Sequence, residues 1–217
     1  MKACIIQPWY STDPKDTERC FNEMLSLIDQ CDETMDLIVL PEYSDIPAAQ
    51  ACKADFHEVM ERHNALIMEK ARRTAIRCNA VVFVNAGHLT PTGWRNTTHA
   101  IDRQGNVVGR YFKAHPAPSE VKTEAQGGNE LDVAYSYDFA EPYVVEIEGV
   151  RYGFMTCYDF YFYESFAPLA RKNVDVIIGC SHQRTDTHAA LETIHGHATR
   201  IFEGAVTDTL RTAMDPV

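Results

Sequence analysis

Apolar positions along the chain follow two spacings, and the change between them predicts the elements. Lys2–Gln7 (KACIIQ) is a short β-prone run. Asp13-Pro14 then offers an N-cap with proline in the first helical turn. Phe21, Met24, Leu25 and Ile28 recur at helical spacing, which predicts an amphipathic helix to about Cys31. DLIVLPE (36–42) reads as a fully buried strand that Pro41 ends, leaving Glu42 at its carboxyl tip. A long helix follows over about 55–78, with Val59, Leu66, Ile67 and Ala71 on its apolar side, and AVVFVNAGH (80–88) is another buried strand.

From there the period becomes two. NTTHAIDR and VVGRYF flank Gln104-Gly105-Asn106, and EPYVVEIE and VRYGFMT flank Gly149, so each pair predicts a hairpin. The polar stretch SEVKTEAQGGNELD between the hairpins reads as a long loop. ESFAPLARK begins a helix, VDVIIG (174–179) is a buried strand, and His188 to about Glu203 is helical. Strands alternating with helices at both ends, with hairpins between, predict α/β layers around sheets. No repeat or low-complexity linker divides residues 1–217, so a single domain is expected.

Composition narrows the function classes. Of 217 residues 45% are hydrophobic, enough for an ordinary buried core, and the net charge is −11. An acidic chain without a Lys/Arg run repels phosphate backbones, which argues against a nucleic-acid partner. No apolar run is long enough to span a bilayer. MKACIIQPWYSTD is too short in apolar residues for a signal peptide, so a cytoplasmic location is expected. The seven cysteines (Cys4, Cys20, Cys31, Cys52, Cys78, Cys157 and Cys180) lack any C-x-x-C pair, and free thiols are expected.

Cys157 stands apart from the other six because it follows a strand and precedes a helix by a short turn. Such a turn exposes a side chain and aims the next N–H groups at a common point, as in a nucleophile elbow. A free thiol is only about 3% ionised at pH 7, so nucleophilic work needs a base or a positive charge beside it. Glu42 ends DLIVLPE and Lys113 ends VVGRYF. Three side chains at strand ends can converge at one sheet edge, where open α/β sheets place their sites. The alternative reading is that Glu42 and Lys113 are surface charges.

LPE at 40–42, YFKAH at 111–115 and TCYD at 156–159 resemble the three signature blocks of the nitrilase, or carbon–nitrogen hydrolase, superfamily, in the family's order. RIFEG (200–204) resembles a further block, with Gly204 at an asparagine position. The resemblance implies a four-layer α-β-β-α sandwich and a Glu42-Lys113-Cys157 triad. Cys157 would attack the carbon of an amide, nitrile or carbamoyl group to give a thioester-type acyl-enzyme. Glu42 would move the protons, while Lys113 and the backbone N–H of Tyr158 would bind the oxyanion. A second glutamate that helps to place the substrate would be Glu120, with Glu124 as its rival, unless both are solvated loop carboxylates. No cofactor is implied, and a homodimer or larger homo-oligomer is expected.

Two departures qualify the resemblance. Tyr161 occupies a position where many relatives carry arginine, and Tyr163 replaces a proline, while Glu164 is retained. Phe160 and Tyr161 cannot grip a carboxylate, so they become candidate substrate-positioning residues for a small neutral molecule, or else core or dimer-contact aromatics. The tail AVTDTLRTAMDPV shows little strand alternation, so the family's C-terminal strands are expected to be missing after about 204. A truncated, inactive interaction subunit is therefore one rival reading. A metallohydrolase is another, because His188, Glu192 and His195 share a helical face with His182 and His197 nearby.

Overall fold

The computed structural model describes residues 1–91, 93–117, 120 and 143–181. Five strands form the first sheet: β1 (Ala3–Ile5), β2 (Leu37–Val39), β3 (Val81–Thr90), β4 (Gly93–Ile101) and β5 (Val107–Phe112), hydrogen-bonded in that order. The first three run parallel, with Ala3 opposite Leu37 and Leu37 opposite Val81. Parallel neighbours need crossover connections, and helices α1 (Thr17–Asp29) and α2 (Lys53–Cys78) supply them. The β3–β4 and β4–β5 pairs are antiparallel.

Three strands form the second sheet: β6 (Val144–Ile147), β7 (Val150–Thr156) and β8 (Val176–Cys180). A two-residue turn joins β6 to β7, and both its residues, Glu148 and Gly149, have positive φ. That is the twist a tight hairpin requires, and glycine meets it without a Cβ clash. Helix α3 (Tyr163–Arg171) carries the chain from β7 to the parallel β8.

Burial resolves the layers. Phe21, Met24 and Ile28 of α1 and Ile67, Ala71 and Ala75 of α2 cover Ile38, Val82, Val84 and Ile101 on one face of the first sheet. The other face, with Val39, Val81, Phe83 and Tyr111, packs on Tyr152, Phe154 and Ile178 of the second sheet. Phe166 and Leu169 of α3 close the far side over Met155. The order is α-β-β-α, a four-layer sandwich of the nitrilase type. Among the described residues no helix is long and apolar enough to cross a membrane.

Two local expectations change. Asp13 does cap the chain, accepting from Lys15 N–H at 2.9 Å, but Pro14–Asp16 forms a separate 3-10 turn before α1 begins. Leu66 is 56% exposed, because the buried stripe of α2 runs through Met60, His63, Ile67 and Ala71 and leaves Leu66 one residue off it. Almost all of the long inter-hairpin loop, the predicted helix from His188, the histidine group with Glu192, and the tail after 204 lie outside the described residues.

Candidate active site

Glu42 lies three residues beyond β2, in a segment that stays stitched to β3. Leu40 N–H donates to Phe83 O and Ser44 N–H to Asn85 O, each at 2.8 Å. Tyr43 takes a left-handed φ of 52° and donates its N–H to Asn85 Oδ1 at 2.8 Å. The Tyr10 hydroxyl donates to Glu42 O at 2.7 Å. These bonds turn the Glu42 side chain inward, where the residue is 1% exposed.

Lys113 directly follows β5, and its N–H donates to Asn96 O at 2.9 Å. Its ammonium sits between two carboxylates, 2.8 Å from Glu42 Oε1 and 2.6 Å from Glu120 Oε2. Asn96 Nδ2 bridges the same pair, donating to Glu42 Oε1 at 2.9 Å and Glu120 Oε1 at 3.1 Å. Glu120 also accepts from the Tyr43 hydroxyl and from Ala117 N–H, each at 2.5 Å. Burial works against the lysine charge, but Glu42, Glu120 and Cys157 outweigh it and hold the ammonium above the ordinary lysine range.

Cys157 opens a 3-10 helix (Cys157–Tyr161) immediately after β7. Its φ is 47°, left-handed backbone that a side chain with a Cβ seldom adopts, and strain of this kind gathers at functional sites. The thiol lies where Glu42, Lys113 and Ser181, just beyond β8, all act on its ionisation. Burial pushes its pKa up to about 12; the Glu42 charge adds to the rise, while Lys113 and Ser181 oppose it. At neutral pH the sulfur is therefore a thiol with a carboxylate ready to take its proton. Tyr158 is the next residue of the turn, and its N–H belongs to the first helical turn, where no helix carbonyl accepts it.

The structure thus brings Glu42, Lys113 and Cys157, each just past a strand, together with Glu120 from the segment after β5. Glu124 lies outside the described residues. Phe160 and Tyr161 are not gathered with them. The Phe160 ring packs on Gly179, where a Cβ would come within 2.5 Å of it, and beside Phe166. Tyr161 is 57% exposed, with its ring against Tyr158. Sequence reading missed Asn85, Asn96 and Tyr43. A signal existed for Asn85, since an amide inside a buried apolar strand must find partners; it donates to Asn96 Oδ1 at 2.8 Å and Thr98 Oγ1 at 3.1 Å.

Fold and site together define an α-β-β-α sandwich protein with a glutamate, a lysine and a cysteine at its strand ends. The chain belongs to the carbon-nitrogen hydrolase family, whose sequence profile matches residues 2–211. A carbon-nitrogen hydrolase from Helicobacter pylori G27 superposes with a TM-score of 0.68 at 17% identity, covering 94% of this chain and 68% of that one. An amidase from Nesterenkonia sp. gives 0.57 at 17% identity, over 89% and 69% of the two chains. A mutant of the amidase from Nesterenkonia sp. AN1, in complex with butyramide, gives 0.56 at 15% identity, over 82% and 65%. The chain thus spans about two thirds of the length of these structures, and the likeness is one of fold. No curated protein matches the chain significantly by sequence.

Proposed function

We propose that this protein is a cysteine-dependent hydrolase of small, neutral amides. The observation that carries the reading is Cys157, on a strained turn, close enough to feel the charge of the same Glu42 that holds Lys113 at 2.8 Å. As Cys157 Sγ attacks the amide carbon, Glu42 takes the thiol proton and passes it to the leaving nitrogen, which departs as ammonia or an amine. A thioester remains. Glu42 then removes a proton from water, which attacks the thioester and releases the carboxylic acid. Lys113 and the Tyr158 N–H offset the negative charge on oxygen in both steps; losing one such donor typically lowers kcat by about 10²–10³.

Glu120 serves as the partner that fixes Lys113, since it accepts from Nζ at 2.6 Å alongside Glu42. Preference for a neutral substrate follows from charge. The buried row holds two carboxylates against one ammonium, a balance that repels a carboxylate on the substrate. Amides of this kind also occur with a structural neighbour, the amidase complexed with butyramide.

The test combines turnover with labelling. The purified protein is assayed for ammonia release from butyramide and a panel of small amides and nitriles. Iodoacetamide labelling at about pH 6 is read for each cysteine by peptide mass spectrometry. Turnover lost in Cys157→Ala, and labelling concentrated at Cys157 and altered in Glu42→Gln, support the reading. Labelling of Cys157 no faster than the other six cysteines would sink it.

A further inference from the structure

Asp159 is fully buried, and the chemistry above makes no use of it. Its Oδ2 accepts from Thr156 N–H at 2.7 Å and from the Tyr111 hydroxyl at 2.8 Å. Its Oδ1 accepts from His115 N–H at 2.7 Å and lies 3.0 Å from His115 Nδ1. These partners are not scattered. Thr156 directly precedes Cys157, and Tyr111 and His115 stand two residues to either side of Lys113. One carboxylate therefore bonds the backbone before the cysteine, in the second sheet, and both flanks of the lysine, which extends the first sheet.

The anchor is itself fixed. The His115 ring stacks on Phe162 at 3.9 Å and 8°, and its Nε2 lies 3.8 Å from Glu164 Oε1. Burial and the Asp159 charge hold the Tyr111 phenol well above its ordinary pKa, so it stays a donor. Capping the 3-10 turn would need only the Thr156 bond; the bonds to Tyr111 and His115 reach across the sheets.

We propose that Asp159 is a positioning residue: it sets the placement of the Lys113 ammonium relative to the Cys157 thiol while hydrogen-bonding neither. It therefore governs the rate of the chemical step and leaves binding alone. The proposal rests on reading Glu42, Lys113 and Cys157 as the catalytic triad. A misplacement of about 1 Å at a reacting centre costs about 10²-fold in rate, which sets the size of the effect.

Acrylamide is the probe, because its addition to a cysteine needs no turnover. The thiol sulfur bonds to the terminal carbon of the alkene and the thiol proton ends on the carbon next to the carbonyl, while negative charge gathers transiently on the amide oxygen. A mutant of the neighbouring amidase shows the result of this addition at its active site cysteine. The maximal rate of adduct formation at Cys157 and the half-saturating acrylamide concentration are measured by mass spectrometry in wild type, Asp159→Asn and Tyr111→Phe, each below its own Tm. The expected result is a maximal rate about 10²-fold lower in Asp159→Asn and about tenfold lower in Tyr111→Phe, with half-saturation within about twofold of wild type.

An unchanged maximal rate in either folded variant, or a loss seen only in half-saturation, overturns the proposal and leaves the triad reading standing. Wild-type Cys157 reacting no faster than the other cysteines overturns the triad reading, and the proposal with it. Should Asp159→Asn fail to fold, Tyr111→Phe decides alone, since it removes one hydroxyl and keeps the ring.

Discussion

Lys113 Nζ stands 2.8 Å from Glu42 Oε1, with the two side chains 1% and 2% exposed. Removing two charges from water is costly, and only good geometry with further hydrogen bonds makes such a pair tolerable. Here Glu120 and Asn96 supply those bonds, and the Tyr43 hydroxyl in turn donates to Glu120. The arrangement makes sense as a way to hold an ammonium and a base at fixed places in a dry site. As a stabilising device it is inferior to an apolar core of the same volume.

That argument predicts the behaviour of Lys113→Met. Without the ammonium, Glu42 and Glu120 face one another across Asn96 as two buried carboxylates. Leaving buried charge uncompensated costs about 3–5 kcal/mol, so Tm should drop sharply at neutral pH. The loss should shrink as pH falls and one of the two carboxyls takes up a proton. Thermal unfolding of the variant and wild type between about pH 8 and pH 4.5 checks this; a deficit that stays constant with pH contradicts it.

The raised pKa of Cys157 shapes its alkylation profile. An ordinary thiol reacts faster as pH approaches about 8.5, because only the thiolate attacks. Cys157 stays protonated until about 12 and can react at neutral pH only by handing its proton to Glu42. Its labelling rate should be nearly flat from about pH 6 to pH 9. In Glu42→Gln burial still raises the pKa, but the carboxylate's share of the rise is gone while Lys113 remains, so ionisation moves to lower pH. Labelling of that variant should climb about tenfold per pH unit, while amide turnover stays lost. Peptide-resolved labelling rates across the range decide between the two profiles.

Cys157 is a candidate from the sequence because its turn is local, and Glu42 and Lys113 because each follows a strand-like run. Glu120 emerged only as one of two candidates, since a polar loop has no period to fix which carboxylate turns inward. Asn96 was hidden for a different reason. Its partners Glu42, Glu120 and Asn85 come from three separate segments, and nothing in NTTHAIDR itself announces them. For Phe160 the sequence left substrate-positioning and core roles open, because Gly179, 19 residues on, leaves the gap that its ring fills. Helices layered on sheets were legible because unbroken apolar runs mark strands covered on both faces, as β2 and β3 are, whereas the four-layer order came from the family resemblance.

His99 predicts a limb of acid sensitivity. It lies on β4 opposite Val84 and Arg110, 3% exposed, with the His88 ring 5.6 Å away. Burial, then His88 and Arg110, lower its pKa from the ordinary 6.5 to about 3. The folded protein therefore binds fewer protons than the unfolded chain between these values. The contribution to stability is whole above pH 6.5 and is lost as pH falls towards about 3. Over that interval of about 3.5 units, at about 1.4 kcal/mol each, it reaches on the order of 5 kcal/mol. Replacing His99 by Leu should flatten the fall in unfolding free energy between about pH 6 and pH 4, as measured by denaturant titration. An equally steep fall in the variant would locate the acid sensitivity elsewhere.

The backbone at Cys157 sets a last expectation, in which stability and activity oppose one another. A φ of 47° brings a Cβ against the following carbonyl, at a cost of about 1–2 kcal/mol that glycine does not bear. Cys157→Ala keeps the Cβ and loses the sulfur; Cys157→Gly loses both. Each removes the nucleophile, so neither should release ammonia from butyramide. They should differ in stability, with Cys157→Gly above Cys157→Ala by about 1 kcal/mol after allowance for glycine's greater freedom when unfolded. Urea unfolding of the two variants under identical conditions measures the difference. If Cys157→Ala proves the more stable, the turn is relaxed with a side chain in place. The left-handed backbone would then be no part of how the thiol is presented.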